Sequence, residues 1–196
     1  MTIAFFGDSF TEGTPFKVDD PDIWPNLVAK HFYMKADNQF VPGGSNHAIL
    51  RNLVHYMRNS ADVEAIIVTW SHWNRSEIHQ GEIVYQMQPR GNSFPPKFIT
   101  QWYKDMNTDV QFQDWVDKTW IVDKLLKNKI PYFQWSAFPD ERRMNRNYDP
   151  ENWLATSILE IVADMGTTSC GHPKKAGHRK IADTVIEHLQ NKEILL

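Results

Sequence analysis

The stretch Ile3-Ala4-Phe5-Phe6-Gly7-Asp8-Ser9 decides the fold of this 196-residue chain. Four consecutive apolar residues that end at a glycine are typical of a strand buried on both faces, as strands are in a parallel sheet. Asp8 and Ser9 follow the strand directly. They are therefore predicted to lie at its carboxyl end, where open α/β sheets bind their ligands.

Predicted strands and helices alternate along the rest of the chain. Ala65-Ile66-Ile67-Val68-Thr69-Trp70 predicts the best-defined strand, because it is uncharged and rich in β-branched residues. The other predicted elements are strands at 39–41 and 130–135 and helices at 22–32, 46–58, 112–127 and 174–190, whereas 151–165 fits either a helix or a helix followed by a strand. This alternation predicts an α/β fold, a three-layer α/β/α sandwich around a flavodoxin-like parallel sheet of about five strands.

The length of the chain predicts one domain over residues 1–196. Two segments lack a clear periodicity, at about 75–110 and at 138–152, and they are predicted to be irregular excursions from the scaffold. Long irregular segments of compact domains are usually functional or mobile.

Composition argues against several classes of protein. The formal net charge of −3 gives no general attraction to nucleic acid or to an anionic membrane, so neither is an expected partner. Cys170 is the only cysteine, which excludes an internal disulfide. The first residues contain neither a basic region nor a long apolar run. They predict no signal peptide and no membrane span, so the expected location is the cytoplasm.

Polar segments follow each predicted strand, and the topology brings them to one edge of the sheet. They are Ser9, 44–46, 71–74 and Ser136. Alone, Ser9 fits a helix cap, and His172, just before the last predicted helix, fits an ordinary structural histidine. Together they supply the nucleophile and the base that acyl transfer requires.

Two blocks of the sequence resemble the SGNH (GDSL-type) hydrolase/esterase family. Gly7-Asp8-Ser9-Phe10 is similar to the family's Gly-Asp-Ser-Leu block, and Gly171-His172-Pro173, followed by Gly177-His178, is similar to its closing block. The resemblance implies that Ser9 is the nucleophile, that His172 is the base, and that Gly44 and Ser9 give backbone donors to an oxyanion hole. It implies no metal and no organic cofactor.

The third block departs from the family pattern. Where the family has Gly-x-Asn-Asp, this chain has Trp70-Ser71-His72-Trp73-Asn74. Simple register puts His72 at the position of the asparagine that completes the oxyanion hole, and a shift of two residues puts Asn74 there. Either side chain can donate a hydrogen bond, so both are candidates.

The closing block departs more seriously. The family's acid stands three residues before the catalytic histidine, and that position is Ser169 here. Loss of the acid removes the group that orients the imidazole. The candidates to replace it are Ser169 itself, a backbone carbonyl, or a distant carboxylate such as Asp140 or Asp164.

The eight tryptophans bear on the substrate. Trp70 and Trp73 lie on either side of His72 in the third block, and they are predicted, with Asp8, to contact the substrate. Trp102 and Trp135 are further candidates for the same pocket wall, whereas the helical spacing of Trp115 and Trp120 predicts core packing. Aromatic faces suit sugars and acyl chains alike.

The function expected from these residues is a serine ester hydrolase that acts through an acyl-enzyme. A carbohydrate O-acetyl ester is the first expected substrate, and a small acyl ester or thioester is the second. One alternative is a degenerate binding module that holds a glycan or a protein partner without turnover, which the loss of the acid favours. Another is a flavodoxin-like nucleotide binder that uses Gly7 to Thr11 as its phosphate loop.

Overall fold

The computed structural model describes residues 1–59, 62–80, 83–87, 101, 105–139 and 152–195. The strands are β1 (Thr2–Gly7), β2 (Lys35–Phe40), β3 (Ala65–Trp70), β4 (Ser76–Gln80), β5 (Ile83–Met87) and β6 (Tyr132–Ser136). The helices are α1 (Ser9–Glu12), α2 (Trp24–His31), α3 (Asn46–Asn59), α4 (Thr108–Leu126), α5 (Ile158–Ile161) and α6 (Lys175–Asn191).

Four strands form a parallel sheet in the order β2-β1-β3-β6. The two strands that the sequence predicted best, β1 and β3, lie at its centre. They are buried along almost their whole length because each has a neighbour on both sides and helices above and below. The predicted parallel α/β architecture is thus confirmed.

The two faces of the sheet carry separate apolar cores. Alternate residues of β1 point to opposite faces, so Ile3 and Phe5 pack in one core and Ala4 and Phe6 in the other. The first core receives α2 and α6, and the second receives α3 and α4. This arrangement gives the three predicted layers.

The sheet differs from the prediction at its edges. β2 is longer than the predicted 39–41. The prediction was too short because the sequence Lys-Ala-Asp-Asn-Gln-Phe is polar, as suits an edge strand that pairs with β1 on one side only. The position of a fifth strand is held by a single parallel bridge between Gln134 and Trp153. Two backbone hydrogen bonds support this bridge, Gln134 N to Asn152 O at 2.7 Å and Leu154 N to Gln134 O at 3.0 Å.

The two predicted excursions have different outcomes. β4 and β5 form an antiparallel hairpin within the first excursion, where the sequence analysis found no regular element. α4 begins at Thr108, four residues before the predicted helix start. Most of the second excursion, 140–151, lies outside the described residues. The ambiguous segment 151–165 contains the short helix α5.

Most described tryptophans are core residues. Trp24, Trp70, Trp115 and Trp135 are fully buried. The prediction of core packing was wrong for Trp120, whose side chain is 51% exposed with the Lys124 ammonium 5.5 Å from its ring centre. The helix turns by about 100° per residue, which puts Trp120 on a different face of α4 from Trp115. Trp102 lies outside the described residues.

Candidate active site

Ser9 begins the short helix α1 directly after β1. The Asp8 carboxylate caps this helix by accepting a hydrogen bond from Phe10 N at 3.0 Å. Gly7 is required because a Cβ at this position would lie 2.0 Å from Thr11 Oγ1 and 3.1 Å from the Thr69 carbonyl oxygen. The strand and the helix can therefore meet in a sharp turn, and this turn carries Ser9.

His172 lies on a tight turn before α6. Thr168 N donates to the His172 carbonyl at 2.8 Å, and Gly171 N donates to the Thr168 carbonyl at 3.0 Å. Gly171 has a φ of +82°, in the left-handed region that favours glycine. The turn puts His172 Nε2 at 2.8 Å from Ser9 Oγ. The two residues that the sequence paired as nucleophile and base are thus in hydrogen-bond contact.

The other ring nitrogen of His172 contacts Cys170. Nδ1 lies 3.1 Å from the Cys170 carbonyl oxygen and 3.3 Å from its Sγ. A carbonyl can only accept, so Nδ1 carries the proton and Nε2 accepts from the Ser9 hydroxyl. Among the candidates for the missing acid, this geometry favours a backbone carbonyl.

Neither Ser169 nor Asp164 forms a hydrogen bond with His172 in the part of the chain that the structure describes. Ser169 is exposed. Asp164 is exposed as well, and it pairs with Lys180 at 3.0 Å. Asp140 lies outside the described residues.

Burial sets the protonation state of His172. The imidazole is half-buried, and loss of hydration lowers its pKa below the ordinary value of 6.5. The Asp8 carboxylate and the Cys170 carbonyl raise this pKa again, and the Arg75 cation lowers it, but burial is the largest cause. His172 is therefore neutral at neutral pH, as a general base must be.

Gly44 does not offer the backbone donor that the resemblance implied. Its N–H donates to the Val41 carbonyl at 2.7 Å and closes the turn between β2 and α3. A Cβ at Gly44 would lie 2.7 Å from that same carbonyl oxygen, so the turn itself explains the glycine. The implied role of Gly44 in the oxyanion hole is corrected on this ground.

Asn46 ties the second polar segment to the third. Its Oδ1 accepts from Ser71 N at 2.8 Å, and its Nδ2 donates to the carbonyls of Ser71 and His72, each at 3.2 Å. The side chain is 3% exposed. Asn46 therefore fixes the loop that follows β3 against the start of α3.

The two candidates of the third block are joined to each other. Asn74 N donates to His72 Nδ1 at 3.3 Å. An Nδ1 that accepts leaves the proton of the neutral ring on Nε2, so His72 has a donor there. The Oδ1 of Asn74 is buried and has no hydrogen-bond partner among the described residues.

Asp8 is not placed to contact a substrate. It is fully buried, and its Oδ2 accepts from Ser71 Oγ and from Arg75 Nη1, both at 2.8 Å, while Oδ1 serves the helix cap. The prediction that Asp8 binds the substrate is therefore wrong. Asp8 instead links the nucleophile turn to the loop after β3.

The structure separates the tryptophans of the predicted pocket wall by their burial. Trp70 is fully buried, and its Nε1 donates to Gln134 Oε1 at 2.9 Å, so it belongs to the core and not to a pocket wall. Trp135 is buried in the other core, with Nε1 donating to Thr69 Oγ1 at 2.6 Å. Trp73 is only half-buried, and its ring centre lies 5.2 Å from that of His72 and 6.2 Å from that of Phe112.

A row of ring contacts runs from His172 to Phe112. We call it the aromatic row, and its members in order are His172, Phe10, Phe138, His72, Trp73 and Phe112. Successive ring centres are 4.7, 5.2, 5.5, 5.2 and 6.2 Å apart. All members except Phe10 are partly exposed. The row places aromatic surface beside the Ser9–His172 pair.

Sequence reasoning assigned no role to three residues of this site, although Asn46 belongs to the polar segment 44–46 that it placed at the sheet edge. They are Asn46, Arg75 and Phe138, which act through hydrogen bonds, an ion pair and ring packing. Asn46 and Arg75 gave a usable signal, since each is a polar residue at the carboxyl edge of the sheet. Phe138 gave none, because an isolated phenylalanine after a strand is compatible with any environment.

Two comparisons of the sequence found no relative: no family model matches it, and no curated protein matches it. Solved structures do match. One is a member of the lipolytic protein G-D-S-L family from Veillonella parvula, with a TM-score of 0.59 and 12% identity over 97% of this chain and 98% of that one.

Two of the other similar structures are carbohydrate esterases. An acetyl xylan esterase from Butyrivibrio proteoclasticus has a TM-score of 0.59 at 13% identity. A family two carbohydrate esterase from Clostridium thermocellum, in complex with cellohexaose, has a TM-score of 0.60 at 11% identity. Each match covers 98% of this chain, which spans 64% of the length of each enzyme. The chain has the fold of the SGNH (GDSL-type) hydrolases.

None of the helices among the described residues is long and apolar enough to cross a membrane. Within the same residues, no group of three histidine, cysteine, aspartate or glutamate side chains could hold a metal ion.

Proposed function

We propose that this chain is a serine ester hydrolase that forms an acyl-enzyme on Ser9. The observation that carries the proposal is the 2.8 Å contact between Ser9 Oγ and His172 Nε2, with His172 Nδ1 hydrogen-bonded on its other side. A neutral imidazole with an accepting Nε2 is the form that can take a proton from the serine hydroxyl.

The proposed reaction has two halves. Ser9 Oγ attacks the ester carbonyl carbon while its proton passes to His172 Nε2, and the resulting imidazolium then gives this proton to the leaving alcohol. In the second half a water molecule attacks the acyl carbon while His172 takes a proton from the water. The bond between Ser9 Oγ and the acyl carbon then breaks, and His172 returns that proton to Ser9 Oγ. The products are an alcohol and a carboxylic acid, and no cofactor is consumed.

Two donors are proposed for the oxyanion that forms in each half. Ser9 is the first residue of α1, and the first N–H groups of a helix have no partner within the helix. His72 is the second, because the hydrogen bond from Asn74 N to its Nδ1 favours a proton on Nε2. Such donors stabilise the negative charge of the tetrahedral intermediate.

The proposed substrate is an O-acetylated carbohydrate, or failing that a small acyl ester. The aromatic row supports this proposal, since aromatic rings pack well against the apolar faces of sugars. The fold similarity to an acetyl xylan esterase and to a family two carbohydrate esterase points the same way. Small acyl groups such as acetyl suit a site in which Phe10 already occupies space beside His172, with Phe138 packed against Phe10.

The test uses a fluorophosphonate probe together with p-nitrophenyl acetate and an acetylated xylo-oligosaccharide. We expect labelling of Ser9 and turnover in the native protein. Ser9→Ala and His172→Ala should each lower kcat by roughly a thousandfold or more. Thr184→Ala and His55→Ala serve as matched controls and should retain full activity, because they change a partly exposed hydroxyl on α6 and an exposed imidazole on α3.

Two results would contradict the proposal. Labelling of Ser9 without turnover on any ester would favour the degenerate binding module instead. Absence of both labelling and turnover would leave only the binding alternatives, and a nucleotide would then be tested by its effect on thermal stability.

A further inference from the structure

We infer that Arg75 is a positioning residue for the Ser9–His172 pair, acting through its buried ion pair with Asp8. This inference deepens the proposed hydrolase function and rests on it. Neither the family resemblance nor the sequence patterns assign a role to Arg75.

The ion pair is almost closed to solvent. Arg75 Nη1 lies 2.8 Å from Asp8 Oδ2, the Asp8 side chain is fully buried, and the Arg75 side chain is 12% exposed. The Arg75 guanidinium carbon also lies 5.2 Å from the centre of the Phe138 ring. A buried carboxylate is stable only with such partners, since loss of its hydration costs far more than at the surface. Arg75 therefore supplies the positive charge that faces the buried Asp8 carboxylate.

Asp8 passes this constraint to the nucleophile. Asp8 immediately precedes Ser9 in the chain, and its Oδ1 accepts a hydrogen bond from the N–H of Phe10, which immediately follows Ser9. Ser9 is therefore held between the two residues that this hydrogen bond joins. Its Oδ2 accepts from both Ser71 and Arg75, which belong to the loop after β3. The peptide that carries Ser9 is thereby anchored to the neighbouring strand end as well as to its own helix.

The same pair balances the charges that face His172. The charged groups that act on His172 are the Asp8 carboxylate, the Arg75 guanidinium and the Glu12 carboxylate of α1. The Cys170 carbonyl, in the same turn as His172, acts on it through a hydrogen bond. The buried His178 ring on α6 also interacts with His172. Removal of the Arg75 cation would leave Asp8 uncompensated and favour the imidazolium. Arg75 thus acts in the same direction as burial on the His172 pKa while it holds Ser9 in place.

The test compares Arg75→Met, Arg75→Lys and Asp8→Asn, with Arg51→Met as the control. Arg51 also forms an arginine–carboxylate pair, with Glu77, but its side chain is 54% exposed. We expect Arg75→Met to lower kcat on p-nitrophenyl acetate by roughly ten- to a hundredfold with little change in KM, because small displacements of reacting groups cost factors of this size. Arg75→Lys should recover part of the loss, and Arg51→Met should change neither constant.

The second readout is the pKa of His172, followed by NMR of the ring Cε1–H signal that His172→Gln removes. This measurement needs no turnover. Arg75→Met should raise this pKa by roughly half a unit or more, Asp8→Asn should lower it, and Arg75→Lys should leave it near the native value. Circular dichroism and thermal unfolding establish that each variant is folded, and Arg75→Lys decides the question if Arg75→Met does not fold.

Three results would overturn the inference. The first is an Arg75→Met protein with native kcat and native His172 titration. The second is a lowered kcat with an unchanged His172 pKa and no recovery in Arg75→Lys, which is the behaviour of a merely structural residue. The third is a His172 pKa that moves in the same direction in Arg75→Met and Asp8→Asn. If native protein proves inactive on every ester, the hydrolase proposal fails, and the titration still decides whether the pair controls His172.

Discussion

His172 Nε2 lies 2.8 Å from Ser9 Oγ although 163 positions separate the two residues in the chain. Ser9 is carried by the turn after the central strand β1, and His172 by the turn before α6, which packs on the same face of the sheet as α2. The chemistry that this contact allows depends on the protonation state of the His172 imidazole and on the group that orients its ring.

The pH dependence of the esterase reaction should have a low acid limb. Burial lowers the pKa of His172 below 6.5, and only the neutral ring can act as the base. We therefore expect kcat/KM to be constant at neutral pH and to be lost as the pH falls through a value below 6.5. Initial rates on p-nitrophenyl acetate, read at a wavelength independent of nitrophenol ionisation, give this limb. An acid limb at or above 6.5 would be inconsistent with a half-buried imidazole.

Cys170→Ala should be nearly silent for activity. The variant keeps the carbonyl that accepts from His172 Nδ1 at 3.1 Å. It loses two weak contacts of Sγ, one with His172 Nδ1 at 3.3 Å and one with Thr168 Oγ1 at 3.1 Å. We expect kcat to fall by less than about threefold, since a thiol contact is worth less than an ordinary hydrogen bond. A loss of tenfold or more would mean that Sγ, and not the carbonyl, orients the imidazole. Ser169→Ala, which changes an exposed neighbour, is the control.

Gly7→Ala should damage both stability and activity. The new methyl group would lie 2.0 Å from Thr11 Oγ1 and 2.8 Å from Thr11 Cβ, so β1 and α1 must move apart. We expect the free energy of unfolding to fall by about 2 kcal/mol, the usual cost of overpacking, and Ser9 to move from His172. Urea unfolding and fluorophosphonate labelling measure the two effects. Gly166→Ala, where the nearest atom is the Lys174 ammonium nitrogen at 3.5 Å, should cost only about 1 kcal/mol of conformational strain and leave labelling unchanged.

Acid should destabilise the fold through His178. This ring is fully buried, accepts from Trp24 N at 3.4 Å, and has a pKa lowered to about 4 because burial disfavours its charged form. Between pH 6.5 and 4 the unfolded chain binds a proton that the folded protein excludes, so stability falls as the pH falls through this window. The loss from this group can reach about 3 kcal/mol.

The measurement is urea unfolding at several values of pH between 7.5 and 4.5. His178→Asn should show a shallower loss of stability than the native protein, in which His172 and His188 add smaller contributions of the same sign. Parallel stability curves for variant and native protein would rule out His178 as the main source of acid sensitivity.

Trp73→Ala should weaken the reaction with saccharide esters more than that with small esters. Trp73 is half-buried and lies in the aromatic row between His72 and Phe112. We expect kcat/KM on an acetylated xylo-oligosaccharide to fall by about five- to tenfold, and that on p-nitrophenyl acetate to change less than twofold. Trp120→Ala removes an exposed tryptophan of α4 and serves as the matched control. Equal losses on the two substrates would argue against a sugar-binding role for Trp73.

The fold could be predicted for those elements whose burial requires an apolar sequence pattern. β1 and β3 are buried on both sides and are continuously apolar, and α3 and α6 carry apolar residues at helical spacing. The edge strand β2 was shortened in the prediction because its polar residues look like a loop. The strand β4 was missed for the same reason, although Gly81 and the β-branched pair Ile83-Val84 offered a hairpin signal.

The reactive side chains of the site could be predicted from the sequence, but the backbone groups that contact them could not. Ser9 and His172 are visible as residues, whereas the Cys170 carbonyl that orients His172 is a group every residue has. The sequence already contained a signal against the predicted substrate-binding role of Trp70. Trp70 shares strand parity with Ile66 and Val68, so its side chain points into the sheet's second core.

The long sequence separation of Ser9 and His172 makes their contact a reporter of folding. The nucleophile has no base until α6 docks beside α2 on the sheet, so intermediates without this final layer hold an unactivated serine. Contacts between such distant segments form late and slowly in most folding reactions. The appearance of fluorophosphonate reactivity during refolding would therefore time the closure of the whole sandwich, and it could lag behind the recovery of helix and strand signals.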